Sequence, residues 1–265
     1  MEARDVTGLD RLIGLTKLGR SRLVDFLLPP RCAACNTQTA VTGAVCVTCW
    51  LAIDFIEWPL CPRLGLPFPY SVNPDAPSGE ALCAEAIARP PVFARARAVA
   101  VHDGPARRLV SALKFRDRTD HAPLMAQWMA RAGAELLADA DLMAPIPLHR
   151  RRLWQRKHNQ AALLVNAIAR ITGKAALPDL LRRTRSTRAQ IGLNARQRAA
   201  NVRGAFAVEP RYLRRIEGAR VLLVDDVYTT GATVTAAARA LLRGGAAAVD
   251  VLAFARVVGP AQIPL

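Results

Sequence analysis

Two adjacent carboxylates followed by three threonines and a glycine form the densest concentration of reactive groups in this chain. The run is Asp225-Asp226-Val227-Tyr228-Thr229-Thr230-Gly231-Ala232-Thr233, and four apolar residues, Val221-Leu222-Leu223-Val224, come directly before it. A continuous apolar run of this length predicts a strand covered on both faces. Residues Ala232 to Leu242 predict a helix that Gly244-Gly245 ends. A loop between a parallel strand and the next helix lies at the carboxyl edge of a sheet, where ligands bind. The first turn of such a helix aims unpaired N–H groups and a positive dipole end at the loop. Thr229, Thr230, Gly231, Ala232 and Thr233 are therefore candidates for holding a phosphate. Gly231 lets the backbone approach closely, and the hydroxyls add hydrogen bonds. Asp225 and Asp226 repel phosphate, but they suit sugar hydroxyls or a metal held near a pyrophosphate. The plainer alternative is a structural turn whose acids and threonines only cap the helix. The Gly-x4-Gly-Lys-Ser/Thr sequence of P-loop nucleotidases does not occur.

A second cluster lies near the amino terminus. Cys32-x2-Cys35, ten residues, and Cys46-x2-Cys49 give four thiolates at zinc-ribbon spacing. All four positions of a tetrahedral ion would be filled, so the expected role of the zinc is structural, at one ion per chain. A redox Cys-x2-Cys or simply buried thiols are the alternatives. Cys61 and Cys83 remain, too few for a second site. The amino terminus does not read as a signal peptide, because Glu2, Asp5 and Asp10 precede a broken apolar run without a small-residue cleavage site. No charge-free apolar stretch reaches 18 residues, so a membrane span is not expected. The expected location is cytoplasmic, where zinc is favoured over disulfides.

Net charge is +16, and it is unevenly placed. Between Pro145 and Arg220 there are 18 Arg or Lys against 3 acids, giving +15 in that window alone. Such clustering points to a polyanion, either a phosphorylated substrate or a nucleic acid. The alternative is an Arg-rich composition decorating a solvated surface, since the chain holds only four Lys. Arg156, Lys157, Arg182, Arg183, Arg185, Arg188 and Arg196 are the candidate nucleic-acid contacts in this window, with Trp154, Phe206 and Tyr212 as nearby aromatics.

These residues need elements to position them. Apolar spacing predicts a helix within 10–28, stopped by Pro29-Pro30. From Cys32 to Cys83, repeated prolines predict irregular structure that a metal would help to fold. Beyond Phe93, strands are expected at Ala96–Val101, Asp141–Ile146, Ala205–Val208 and Ala247–Arg256. Helices are expected at Pro105–Phe115, Pro123–Leu137 and His158–Ile171. Arg182 to Ala200 reads as an arginine-dense loop leading into a helix. Strand and helix alternation predicts an α/β fold, a mostly parallel sheet flanked by helices. The expected division is an N-terminal helix (1–28), a zinc-ribbon-like domain (29–91) and the α/β domain (92–265).

The loop closely resembles the ribose-phosphate motif of type I phosphoribosyltransferases. That resemblance implies Asp225 and Asp226 on the ribose hydroxyls, Thr229 to Thr233 on the 5′-phosphate, and Mg²⁺ bound with 5-phosphoribosyl 1-pyrophosphate (PRPP). The order of further motifs resembles one family, the ComF competence-associated proteins. These motifs are His102-Asp103-Gly104-Pro105 with Lys114-Phe115; Ala144-Pro145-Ile146-Pro147-Leu148-His149-Arg150-Arg151-Arg152-Leu153 with Arg156 and Asn159-Gln160-Ala161; and Leu181-Arg182-Arg183 through Gly204-Ala205-Phe206. The resemblance implies a pyrophosphate or other anion held by His149, Arg150, Arg151 and Arg152, with Lys114 on a phosphate from another loop. It implies a role in DNA uptake during natural transformation, with single-stranded DNA, PRPP or a related ribose phosphate, and other competence proteins such as a DNA helicase as partners. An active Mg²⁺-dependent phosphoribosyltransferase and a non-catalytic nucleotide-sensing scaffold are the other readings. Two departures stand out. Arg156-Lys157-His158-Asn159-Gln160 replaces the usual Arg-Gly-aromatic-Asn-Gln, and Leu64 and Ala86 stand where relatives carry the partners of Cys61 and Cys83.

Overall fold

The computed structural model describes residues 29–68, 81–149, 153–154, 156–184 and 204–259. The helix expected within 10–28 lies outside these residues, as do Arg150, Arg151, Arg152, Arg185, Arg188 and Arg196.

Four parallel strands form the centre: β1 (Ala96–Val101), β2 (Leu142–Pro145), β5 (Arg220–Tyr228) and β6 (Ala248–Arg256), in the order β1-β6-β5-β2. The shorter β3 (Leu181–Arg183) and β4 (Phe206–Val208) pair antiparallel beside them. Neighbouring side chains on β5 point to opposite faces, and both faces are apolar. Val221 and Leu223 join Val251 and Ala253 against α8 (Ala232–Arg243). Leu222 and Val224 join Leu252 and Phe254 against three helices: α3 (Gly104–Phe115), α4 (Ala122–Ala132) and α6 (Gln160–Thr172). Burial on both faces is why this strand reads as an unbroken apolar run.

Sequence and structure differ at two places. The single helix expected over Pro123–Leu137 is two, α4 and α5 (Ala134–Asp139), separated at Gly133. A Cβ at Gly133 would sit 2.8 Å from a methyl of Leu252, so glycine there lets the chain pass close under β6. The arginine-dense segment expected as a loop from Arg182 begins as strand β3, which Val208, Ala207 and Phe206 hold in register.

The cysteine-bearing segment carries α1 (Val47–Leu51) and α2 (Ala84–Ala88) and is fastened to the edge of the sheet. Ile56 donates its backbone N–H to Val99 at 2.9 Å, and Val101 donates to Asp54 at 2.9 Å. This pairing covers the free edge of β1, which would otherwise leave a row of unpaired polar groups. Cys32, Ala33, Cys49 and Ile53 enter the core on the α3 face. Ile56, Leu60, Cys61, Leu64 and Ala86 enter the core on the α8 face. At the amino end of the sheet, the fully buried Asp250 accepts from Arg95 Nη2 at 2.7 Å and from Arg220 Nη1 at 3.2 Å, which satisfies its charge.

Candidate ribose-phosphate site and zinc ribbon

β2 stops pairing with β5 at Pro145, opposite Val224. β5 runs four residues further, through both carboxylates to Tyr228, hydrogen-bonded there only to β6. The two aspartates therefore sit on a strand end, not in the loop itself, and face a cavity of about 500 Å³. Its wall includes Asp225, Asp226, Thr229, Gly231 and Thr233 together with Lys114, Arg156 and Arg183.

Gly231 caps α8 with φ of +71°, and a Cβ there would collide with the Tyr228 ring. Only glycine fits the sharp strand-to-helix turn beneath the phosphate candidates. Thr229 and Thr230 are exposed at that turn. Thr230 and Ala232 stand in the turn beside the cavity-lining residues.

The electrostatics are unbalanced toward acid at this spot. Lys114 Nζ meets Asp226 Oδ1 at 2.7 Å, so the cation expected on a phosphate holds a carboxylate instead. Among the described residues Asp225 has no such cation; its Oδ1 accepts the Asp226 backbone N–H at 2.9 Å. Burial and the neighbouring Asp226 charge push the Asp225 carboxyl up to about 7. His102 also lines the cavity, and burial together with Lys114 and Arg107 pushes its imidazole below the usual histidine range. Sequence reading placed His102 in a motif without giving it a site role. Only the packing of β1 against α3 brings it here.

The candidate anion residues separate by geometry. Arg183 points into the cavity with its guanidinium 5.3 Å from the Phe206 ring centre, while Arg182, one residue earlier, points away and pairs with Glu209 at 3.3 Å. Arg156 lies over the Phe115 ring at 5.0 Å inside the cavity. Lys157 is outside it, exposed and paired with Asp117 at 3.0 Å. His149 follows β2 on the same edge and accepts the Leu153 backbone N–H at its carbonyl, at 2.9 Å. Of the aromatics, Trp154 is 86 % exposed, Phe206 is core, and the Tyr212 hydroxyl donates to Asp179 at 2.7 Å.

Lys157 carries a further consequence of the Arg-Lys-His departure. Its φ is +63°, a left-handed conformation that a Cβ disfavours. The turn is kept although the glycine is not.

In the zinc-ribbon segment, Cys32, Cys35, Cys46 and Cys49 bring their four Sγ atoms within 4.8 Å of one another. Cys35 and Cys46 Sγ lie 3.7 Å apart, against about 3.8 Å for two sulfurs on one tetrahedral zinc with bonds of about 2.3 Å. Cys32 Sγ accepts the Cys46 N–H at 3.2 Å, and Arg108 Nη2 approaches Cys49 Sγ at 3.7 Å. These donors favour thiolates, and the four residues fit a structural zinc with no open position.

A second cavity of about 460 Å³ lies between this segment and α3. Arg107, Arg108, Arg116 and Arg118 line it, with Asn36, Ser111 and the buried His121. Sequence reading missed it because these arginines lie outside the +15 window and come together only when the ribbon packs on α3.

Two measurements follow from this geometry. Metal analysis of the purified chain is expected to give one zinc per chain, and Cys35→Ser to give almost none; two ions per chain would overturn the single-site reading. Lys157→Gly is expected to raise unfolding stability by about 1 kcal/mol in denaturant titration, and a loss of stability would show that the left-handed turn is not strained.

Comparison with known proteins agrees with both parts. The double zinc ribbon domain profile matches residues 23–87, and the phosphoribosyl transferase domain profile matches residues 159–259. The chain is 33 % identical over 238 residues to the DNA utilization protein YhgH of Salmonella typhimurium, covering 87 % of this chain and 99 % of that protein. The YhgH of Escherichia coli K12 is 32 % identical over 237 residues, with the same coverage. Competence protein F of Haemophilus influenzae is 34 % identical over 116 residues, covering 44 % of this chain and 50 % of that protein. Among solved structures, the Bacillus subtilis glutamine PRPP amidotransferase is similar over 64 % of this chain and 30 % of its own, at 20 % identity and a TM-score of 0.33. Among the described residues no helix is long and apolar enough to cross a membrane. With a zinc ribbon clipped to the edge of a phosphoribosyltransferase-type sheet, and with relatives matched along nearly their whole length, the chain belongs to the ComF family, which includes competence protein F and the YhgH proteins.

Proposed function

We propose that this protein binds a 5-phosphoribosyl compound, PRPP with Mg²⁺, at the Asp225–Thr233 edge, and that it handles single-stranded DNA during DNA uptake in the cytoplasm. One observation carries the first part. A strand-borne carboxylate pair, with Lys114 on Asp226, and a glycine-capped helix start share one cavity with Arg156 and Arg183. Sugar hydroxyls donate to Asp225 and Asp226. The 5′-phosphate accepts from the N–H groups of the first turn of α8 and from the hydroxyls of Thr229 and Thr233. Arg156 and Arg183 lie where a pyrophosphate would extend. Asp225 and Asp226 are the residues that would hold Mg²⁺, which when bound would neutralise pyrophosphate charge.

The second part rests on the relatives' names, which speak of DNA utilization and competence, and on charge. α3 separates the ribose-phosphate cavity from the basic one, with Lys114 and Phe115 facing the first and Arg107, Arg108 and Arg116 facing the second. A phosphodiester backbone along the basic cavity would meet Arg107, Arg108 and Arg116, and Arg118 on its release from the Asp120 ion pair at 2.9 Å. Another competence protein, such as a helicase that delivers the strand, is the partner this reading implies.

Calorimetric titration of Mg²⁺-PRPP is expected to show binding that Asp225→Asn with Asp226→Asn abolishes. Pyrophosphate released in the same mixture would mark an enzyme, and no heat at millimolar ligand would end the ribose-phosphate reading. The folded-state pKa of Asp225 lies above its unfolded value, so ionising it costs stability as pH rises from about 4 to about 7. Asp225→Asn alone is therefore expected to gain at least about 1 kcal/mol at pH 8, a gain that vanishes near pH 4.

Fluorescence anisotropy with a labelled single-stranded oligonucleotide tests the DNA arm. Four arginine–phosphate contacts give a slope of log affinity against log salt of about −3, and Arg107→Ala with Arg116→Ala should flatten it by about 1.4. Salt-independent binding would sink the electrostatic account.

A further inference from the structure

The family's double zinc ribbon implies two metal centres, and the second set of positions here is Cys61, Leu64, Cys83 and Ala86. These residues do not fit a metal. Leu64 is 3 % exposed and Ala86 is 2 % exposed, both packed in the α8-face core with Leu60 and Leu66. Two apolar side chains occupy the places of two ligands, and the two thiols remain.

The knuckle nevertheless keeps its shape. Cys61 Sγ accepts backbone N–H groups from Leu64 at 3.4 Å and from Cys83 at 3.5 Å. The Cys83 amide on Cys61 Sγ places the two cysteines side by side. Arg256 lies against the same turn: its Nη1 donates to the Leu64 carbonyl, and its guanidinium lies 4.4 Å from the Tyr228 ring centre.

The pair is asymmetric. Cys61 has no exposed surface, whereas Cys83 is half-buried. Burial acts to raise the Cys61 thiol, but the Cys83 and Leu64 amides outweigh it and leave Cys61 below the usual thiol range. Burial, with the Cys61 contact, pushes Cys83 up to about 11. Cys83 is therefore the thiol that a small reagent reaches first, and Cys61 lies buried behind it.

We propose that Cys61 and Cys83 are a redox site standing in place of a second metal centre: a low-molecular-weight disulfide oxidises them to an intramolecular disulfide, with Cys83 as the entering thiol and Cys61 as the resolving one. Cys83 gives up its proton and attacks one sulfur of the small disulfide. A Cys83 mixed disulfide forms, the S–S bond of the reagent breaks, and one thiolate leaves. Cys61 then gives up its proton and attacks Cys83 Sγ. The Cys61–Cys83 bond forms, the mixed disulfide breaks, and the second thiolate leaves. The pair loses two electrons and two protons, and the reagent takes them up as two thiols.

The test uses the full zinc-loaded chain incubated with glutathione disulfide, read by intact mass and peptide mapping. Wild type is expected to lose two hydrogens, to yield a cross-linked Cys61–Cys83 peptide and to retain no glutathione on either residue. Cys61→Ser is expected to trap one glutathione on Cys83, and Cys83→Ser to leave the buried Cys61 unmodified. Zinc near one per chain in all three reports that each remains folded. Glutathione retained on Cys83 in wild type, modification of Cys61 in Cys83→Ser, no modification of any form, or a second bound zinc would each overturn the proposal.

Discussion

The candidate ribose-phosphate cavity depends on how far β5 outruns β2. A parallel strand must pair on both sides to sit in the middle of a sheet, and β5 does so up to Val224. Pro145 ends the pairing on one side, and the four residues beyond it carry the carboxylates into an open edge. The same register aligns the carboxyl ends of β1, β2, β5 and β6, so that α3, the loop after β2 and the start of α8 converge on one cavity. No single residue creates the site. It results from four strands running the same way and one stopping early.

Charge balance at that edge sets the character of the site. Two carboxylates share one bonded lysine, and burial with the neighbouring Asp226 charge pushes the Asp225 carboxyl up to about 7. Such a pair costs stability in the empty protein and is discharged by hydroxyl donors or a cation. Functional sites commonly store this kind of cost, which a fold selected for stability alone would remove. At the other end of the sheet, Asp250 is buried more deeply yet fully satisfied by Arg95 and Arg220. Two buried acids in one sheet therefore have opposite characters, and the difference is whether arginine reaches them.

The cysteine-bearing segment is part of the core and not an appendage. Its backbone covers the edge of β1, and its two halves pack on opposite faces of the sheet. A segment so rich in proline gains little from regular secondary structure. In the first half four cysteine sulfurs converge in an arrangement that suits one structural zinc, and the second half is stabilised by leucine packing and Arg256. Arg256 also lies on Tyr228, the residue beneath the Gly231 turn, so the remnant knuckle and the phosphate-loop strand share a contact.

The local motifs were legible because their physics is local. An apolar run, two acids and a Thr-Thr-Gly-Ala-Thr turn need only chain neighbours, and the strand, helix and turn form there as read. Cys-x2-Cys pairs are likewise a matter of spacing. The break at Gly133 was not legible, because it answers to Leu252, more than a hundred residues away in sequence. Nor was β3, whose arginines read as loop until β4 supplied hydrogen-bond partners. Charge counting placed the basic surface between residues 145 and 220, yet Arg182 and Lys157 there are paired with acids, while Arg107, Arg108, Arg116 and Arg118 line a cavity. The sequence by itself determined the fold class, the strand-to-helix turn at Gly231 and the four-cysteine cluster, since each depends on periodicity or spacing along the chain. Tertiary structure alone decided that Lys114 holds Asp226, that His102 joins the site and that Arg256 stands beside the leftover thiols, because those pairings depend on which surfaces the packing of helices on the sheet brings together.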